Sequence, residues 1–306
     1  MKKVFMFLVM ALTMLFVSCS NEDSVSTPAT SSTEVTAELD SLASLHAKIA
    51  ELNGQMQAQS PATRGWFAHL CRRILADAVG GLWGNFLGGP AGAVAGAASF
   101  SALCAAVEVT DNPTNAGNSD TTVKINDKIA HCDDDEGLVS CDEEEASVMD
   151  SIGLYHNKVL LDVAVDEMEI PVSEYPNMLL AEVRNNYPNL GEISTEDSVK
   201  IVTLSSEFLE FEKEYKGGKD IDAYSEYLES KYPSKKGEIE IIKEFFNGIP
   251  YAEASSLTTE YMNKVLKMID DAALSADVKQ NLRNGVIVGN ASNRLWKVDD
   301  DTAVEE

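Results

Sequence analysis

The stretch GGLWGNFLGGPAGAVAGAAS, residues 80–99, decides how the chain folds because it carries a glycine at every fourth position. The glycines of this series are Gly80, Gly84, Gly88, Gly92 and Gly96. Glycine destabilises a helix by about 1 kcal/mol relative to alanine, so a glycine on every turn needs a compensating contact. Small residues four apart let two helix backbones approach closely. The series therefore predicts that these glycines face a second helix.

The residues around this series indicate where the second helix comes from. Residues 78–107 contain no charged side chain, yet Gly88-Gly89-Pro90 near the middle combines a helix-stop signal with a helix-start signal. That break, together with the dominance of glycine and alanine, argues against a single membrane-spanning helix. We predict a helical hairpin, with one leg from about Trp66 to Leu87 and the other from Pro90 to Val107.

The N-terminus has the pattern of an export signal. Lys2 and Lys3 precede an uncharged run from Val4 to Val17 that is too short to span a membrane comfortably. The sequence FVSC that ends at Cys19 resembles the lipobox of bacterial lipoproteins, with Phe16 at the position where leucine is usual. This resemblance implies cleavage before Cys19 and lipidation of that cysteine, so that the chain contacts the membrane through a lipid anchor. An ordinary secreted protein with an incidental cysteine is the alternative.

The segment after Cys19 indicates to which membrane the lipoprotein is sent. Glu22 and Asp23 resemble the short acidic signal that sends some Gram-negative lipoproteins to the outer face of the outer membrane. We therefore expect an outer-membrane lipoprotein, and whether it faces inward or outward is left open by the sequence. Residues 25–33 are rich in serine, threonine, proline and alanine, a composition typical of a flexible stalk.

Four cysteines remain once Cys19 is assigned to the lipid anchor: Cys71, Cys104, Cys132 and Cys141. Counted outward from a turn at residue 88 or 89, Cys71 and Cys104 come within about one helical turn of each other, which predicts a disulfide between the two legs. Cys132 and Cys141 then form the second predicted pair. The other two ways of pairing these four cysteines stay open.

The loop CDDDEGLVSC, residues 132–141, is strongly acidic. Its weak calcium candidates are Asp133, Asp134, Asp135 and Glu136, which offer the hard oxygen ligands that calcium takes. Their spacing does not fit the twelve-residue calcium loop, because Gly137 is out of register. We therefore expect a solvated acidic linker and no metal or other cofactor.

Helical patterns account for the rest of the chain. Apolar residues from Leu42 to Met56 recur at spacings of three and four, which predicts a helix that packs on the protein or, alternatively, self-associates. Beyond residue 146 further apolar stripes follow one another, a start signal occupies residues 194–197, and X-Pro breaks occur before Pro176, Pro188, Pro233 and Pro250. Alternating strand patterns are almost absent, so we predict an all-α protein with a lipid-anchored stalk, a glycine-zipper hairpin and an acidic multi-helix C-terminal domain.

The predicted segments are a signal peptide (1–18), the lipidated cysteine and stalk (19–33), an amphipathic helix (34–59), the glycine- and alanine-rich hairpin (64–109), an acidic linker (110–145), a helical domain (146–298) and an acidic tail (299–306).

Charge and motif content limit the function. The 306 residues carry a formal net charge of -26, which disfavours nucleic-acid binding because phosphate backbones are repelled. The sequence contains no GxSxG, HExxH, phosphate-loop or CxxC motif, and it suggests no catalytic residue. Among the four histidines, His156 lies beside Asn157 on an apolar helix face, which predicts a hydrogen-bonded structural role.

Two functions remain, beside the residual alternative of an enzyme whose site is assembled from scattered acids. The first is a non-enzymatic, membrane-anchored module that binds a protein partner or a second copy of itself. The second follows from a resemblance: residues 64–99 look like the glycine-zipper segments of secreted bacteriocins and pore-forming peptides, with Trp66, Arg72 and Arg73 at an end that seeks the membrane interface. Glycine zippers also occur in structural helices of envelope lipoproteins, so this resemblance is compatible with the first function too.

Overall fold

A glycine-broken pair of helices lies at the centre of the fold. The computed structural model describes residues 32–59, 67–110, 122–123, 151–165, 170–215, 221–254 and 257–296. Within these ranges the helices are α1 (Ser32–Gln59), α2 (Phe67–Thr110), α3 (Ile152–Val165), α4 (Tyr175–Asn186), α5 (Thr195–Glu214), α6 (Ile221–Lys231), α7 (Lys236–Ala254), α8 (Thr258–Asp271) and α9 (Ala276–Leu295). Two short strands, β1 (Thr122–Val123) and β2 (Ile170–Pro171), pair antiparallel. The predicted all-α class is confirmed.

Helix α2 is a hairpin of two legs. Helical backbone geometry stops at Gly88 and Gly89, and Gly89 adopts a positive φ of 58° that favours glycine. Pro90 then opens the second leg, where its missing amide proton removes no hydrogen bond. We call the end at Gly88 and Gly89 the closed end, and the end near Arg72 and Val107 the open end.

The other helices surround this hairpin. Helices α3, α4, α5 and α9 make the most extensive contacts with it, and α6 and α7 add smaller ones. The described residues from Ala37 onward form one compact unit. Of the segment before Ala37, the structure describes only Ser32 to Thr36 at the start of α1. The hairpin and the described helices after residue 150 thus share one core.

Local signals explain where several helices begin. The Ser194 hydroxyl accepts a hydrogen bond of 3.0 Å from the Asp197 amide, which caps α5 at the start that the sequence predicts. Pro176 lies in the first turn of α4, where proline is tolerated. The break expected before Pro250 is wrong, because α7 runs through this residue to Ala254. Pro250 lies one turn before the helix end, and its buried neighbours Ile249 and Tyr251 pack this last turn against the core.

Helix α1 packs on the protein through one stripe. Leu42, Leu45 and Ile49 are buried, while Leu52 and Met56 are partly buried against the same core. Most of the remaining α1 surface is exposed. The amphipathic pattern therefore serves packing within the chain.

Candidate functional site

The glycines of the central hairpin lie where its two legs touch. A Cβ atom added to Gly80 would come within 2.5 Å of the Gly96 carbonyl oxygen, and one added to Gly84 would overlap the Gly92 carbonyl. The reciprocal contacts hold for Gly92 and Gly96. Any side chain at these four positions would push the backbones apart, so the legs are in direct backbone contact. Gly88 differs, because an added Cβ there would meet the side chain of Ile193, 3.2 Å away.

This contact also fixes the register of the legs. The pairs 80 with 96 and 84 with 92 are both symmetrical about position 88. The same register sets position 71 opposite position 105, next to the buried Cys104. The side chain of Cys71 lies outside the described residues, so the disulfide between Cys71 and Cys104 stays a prediction.

Arg72 at the open end forms an ion pair inside the fold. Its Nε donates to Glu212 Oε2 at 3.0 Å, and its Nη2 contacts the same oxygen. The other oxygen of Glu212 accepts a hydrogen bond from the Tyr224 hydroxyl, and the rings of Tyr215 and Tyr224 lie 5.2 and 5.7 Å from the guanidinium carbon. Burial and the charge of Glu212 raise the pKa of Tyr224 well above its usual value, so this hydroxyl stays protonated and donates. The charge of Arg72 is therefore neutralised within the core.

Arg73, the next residue, belongs to a second polar cluster centred on Asp77. Ser292 and Trp296 of the α9 end donate to Asp77 Oδ2, the indole nitrogen at 3.4 Å. The Arg73 guanidinium lies 5.4 Å from the Trp296 ring, and both Arg73 and Asp77 are fully buried. Burial raises the pKa of Asp77 to about 7, although hydrogen bonds from hydroxyl and indole groups and the charge of Arg73 oppose this rise. This carboxyl therefore takes up a proton near neutral pH.

His156 on α3 completes the Asp77 cluster. Its Nε2 atom lies 3.5 Å from Asp77 Oδ2, and its Nδ1 atom lies 2.9 Å from Asn157 Oδ1. Burial lowers the pKa of His156 to about 4, so the ring is neutral at physiological pH. The structure thus places His156 in a buried contact with Asn157, as expected of a structural histidine.

The Asp77 cluster contains a serine, a histidine and an aspartate, but not in the order that nucleophilic catalysis uses. The Ser292 hydroxyl bonds to Asp77, whereas a catalytic serine gives its proton to the histidine. Ser292, His156 and Asp77 each have zero exposed surface. No route for a substrate to these groups is visible among the described residues, so the cluster ties α2, α3 and α9 together.

The exposed parts of the molecule offer few converging groups. A shallow depression on α8 is lined by Leu257, Thr259, Glu260, Asn263, Lys264 and Lys267, which come from a single helix and the residue before it. Phe86 at the closed end of the hairpin is 66% exposed and packs edge-to-face on Trp83. Among the described residues, no group of three or more acids, histidines or cysteines is arranged to hold a metal ion.

Several of the residues singled out by the sequence lie outside the described residues. These are Cys19, Cys132 and Cys141, the acidic candidates Asp133, Asp134, Asp135 and Glu136, residues 19–31 of the predicted stalk and the tail, whereas Ser32 and Thr33 belong to α1. Arg72 and Arg73, which the resemblance to pore-forming peptides places at a membrane-seeking end, are enclosed in this fold by Glu212 and by the Asp77 cluster. Sequence reasoning missed Glu212, Ser292 and Trp296, since each lies far along the chain from its partner on α2.

Among the described residues one helical stretch, Arg72–Val107, is apolar and long enough to cross a membrane by length and composition, and 94% of its apolar window is buried inside the fold. Comparison with protein-family models, with curated proteins and with solved structures finds no match.

Proposed function

We propose that this chain is a lipid-anchored cell-envelope protein that acts as a non-enzymatic interaction or structural module. The observation that carries the proposal is the enclosure of the glycine hairpin. Its legs use their glycines to touch each other, and its two arginines find partners within the fold. A hairpin enclosed in this way is the scaffold of a water-soluble helical body.

The anchor in this proposal rests on the sequence around Cys19. Metabolic labelling with a fatty-acid probe is expected to tag the wild-type protein and to leave Cys19→Ala untagged. The variant is also expected to leave the membrane fraction. Equal labelling of both proteins would refute the anchor. If only the wild type is labelled, protease treatment of intact cells shows which side of the envelope the protein faces.

A membrane-active function is the second candidate, and the uncharged run of residues 78–107 within the hairpin is the observation that favours it. At about 1.5 Å per residue the helical legs, residues 67–87 and 90–110, are each roughly 32 Å long. A bilayer core is about 30 Å thick, so each leg is long enough to span it, but the first leg carries Arg72, Arg73 and Asp77. Insertion would also require the buried charges of Arg72 and Arg73 to leave their partners in the fold.

Dye release from liposomes separates the two functions. The intact, oxidised protein is expected to release no dye at pH 7 or at pH 4.5, because the surrounding helices keep the hairpin on itself. A synthetic peptide of residues 65–109 and its Gly84→Leu form are the matched probes. Release by the intact protein would overturn the module. The membrane-active function would replace it if the peptide also releases dye and its Gly84→Leu form does not, because leucine at this position blocks close association of the helices.

A further inference from the structure

Helix α1 is held to the body of the protein in a different way from the other helices. Three apolar side chains, Leu42, Leu45 and Ile49, are buried in the contact, and the last three residues of the helix are exposed. Elements with few buried apolar contacts and much exposed backbone open locally at lower free energy than the core. The hairpin legs, by contrast, are buried without interruption over residues 73–82 and 91–107.

Helix α1 packs against α7 at two glycines, Gly237 and Gly248, each of which leaves a notch in the α7 surface. A Cβ atom added to Gly237 would lie 2.9 Å from the Leu42 Cδ1 atom, so this leucine packs directly against the backbone of residue 237 and would have to shift if a side chain were added there. A Cβ atom at Gly248 would overlap the Tyr261 hydroxyl and the Asn53 amide oxygen. The notches at Gly237 and Gly248 therefore receive α1 at Leu42, in its middle part, and at Asn53, in its second half.

Asn53 makes a specific polar contact at the second notch. Its Nδ2 donates at 2.7 Å to both the backbone oxygen and the Oε1 atom of Glu244, and its Oδ1 accepts at 2.9 Å from Tyr261. The amide thus meets α7 and α8 at once. Because Asn53 is nearly fully buried, this set of hydrogen bonds fixes the register in which α1 docks.

Glu38 connects α1 to the start of α9. The Ser275 side chain makes no capping bond to its own helix; its hydroxyl and amide instead donate to Glu38 Oε1 at 2.7 and 3.2 Å. A carboxylate at a helix N-terminus is stabilising because it faces the free amides and the positive end of the helix dipole. Helix α5 differs, since its own Ser194 caps it. The α9 start therefore depends on a residue that α1 supplies.

We propose that α1 is a releasable strap: it docks in the Gly237 and Gly248 notches, and its release uncaps α9, the helix that packs most extensively on the central hairpin. The docked and released states differ at two places that can be observed separately, the α1 backbone and the first turn of α9. The strap follows residues 1–31 in the chain, so pulling on that segment would act first on α1. The proposal does not depend on lipidation of Cys19.

The structure supplies a lock for this strap. A Cβ atom at Gly237 would lie 3.5 Å from the Leu42 Cβ atom, a separation within the range of disulfides. The double variant Leu42→Cys/Gly237→Cys is expected to close this bond and to hold α1 in place. Reductant restores the unlocked state of the same protein, and wild type with and without reductant serves as the control for the native cysteines.

Hydrogen exchange of the full-length protein, followed by mass spectrometry, tests the strap. In wild type, α1 amides are expected to exchange at least 10-fold faster than the amides of α2, and the oxidised lock is expected to slow them at least 10-fold while α5 is unchanged. Glu38→Gln should speed exchange in the first turn of α9, whereas the exposed Glu51→Gln on α1 should not. If α1 exchanges as slowly as α2 in wild type, or if the lock forms and leaves α1 exchange unchanged, the strap is refuted.

Discussion

The two ends of the central hairpin are held by opposite kinds of interaction. At the closed end, glycines bring two uncharged backbones into contact, and a single added methyl group would collide with a carbonyl. At the open end the first leg carries Arg72, Arg73 and Asp77, which contact Glu212 of α5, Trp296 just after α9 and Ser292 of α9, respectively. The closed end therefore depends on the shape of the hairpin itself. The open end depends on the helices around it.

This difference predicts that substitutions at the two ends destabilise the fold in different ways. A change at the closed end should disturb the contact between the legs first. A change at the open end should leave a buried charge without its partner, which is the more destabilising event. The four predictions below run from the largest expected effect to the smallest.

Glu212→Ala is expected to have the largest effect. It removes the carboxylate that binds both Arg72 and Tyr224 and leaves a mostly buried guanidinium uncompensated. Breaking a buried ion pair in this way destabilises by about 3–5 kcal/mol. The free energy of unfolding, measured in urea, should fall by that amount. The control Glu210→Ala on the same helix removes an exposed pair with Lys213 and should stay within about 0.5 kcal/mol of wild type. Equal losses in both variants would show that the buried pair contributes nothing special.

The predicted disulfide at the open end comes next. If Cys71 and Cys104 are joined, the bond closes the hairpin covalently and should contribute on the order of 3 kcal/mol by restricting the unfolded chain. Peptide mapping without reductant should recover that linkage, together with Cys132 joined to Cys141. Cys71→Ser should then lower stability by a similar amount in the oxidised protein and have a much smaller effect in reductant. Four free thiols, or a bond between Cys71 and Cys132, would reject the disulfide between the legs.

The sequence predicts the closed end well and the open end poorly, for a physical reason. Glycine spacing, the Gly88-Gly89-Pro90 break and the Ser194 cap are local signals, because the residues that interact are near each other in the chain. The partners of Arg72 and Asp77 are separated from them by 140 and 215 positions, at Glu212 and Ser292. Nothing in a local pattern indicates which amphipathic helix will bring its polar residue to a given arginine. Glu38 at the α9 start is a third contact of this kind.

Gly84→Ala tests the closed end directly. The added methyl group would overlap the Gly92 carbonyl and lie about 3.1 Å from the Ala93 Cα atom, so the legs must separate. Overpacking of this kind destabilises by about 1–3 kcal/mol despite the better helix propensity of alanine. Gly81→Ala is the matched control, because its methyl group would meet Val288 and Ala97 at ordinary distances of 3.6 and 3.7 Å. That control should gain up to about 1 kcal/mol from propensity. A gain in both variants would mean that the legs are not in backbone contact.

The smallest effect concerns the pH dependence of the Asp77 cluster. Burial raises the pKa of Asp77 from 3.8 to about 7, so in the folded state this group holds a proton that the unfolded chain releases, and its contribution to stability is lost as pH rises from about 4 to about 7. Burial lowers the pKa of His156 from 6.5 to about 4, so its contribution is lost in the opposite direction, as pH falls through the same window. In wild type the two contributions largely cancel between pH 4.5 and 6.5.

Asp77→Asn is expected to leave the pH dependence of stability that comes from His156, because the opposing contribution of Asp77 is removed. Relative to wild type, the variant should lose stability as pH falls from 6.5 to 4.5, by roughly 1 kcal/mol per pH unit, because each unit of pKa difference corresponds to about 1.4 kcal/mol. His156→Asn should show the opposite relative slope, gaining stability as pH falls over that range. Urea unfolding at pH 4.5, 5.5 and 6.5 measures both slopes, and subtracting wild type removes the titration of the many surface acids. Parallel curves for all three proteins would mean that Asp77 and His156 titrate in the fold as they do in the unfolded chain. The open end would then not be shielded from water, and the contrast between the two ends of the hairpin would fail.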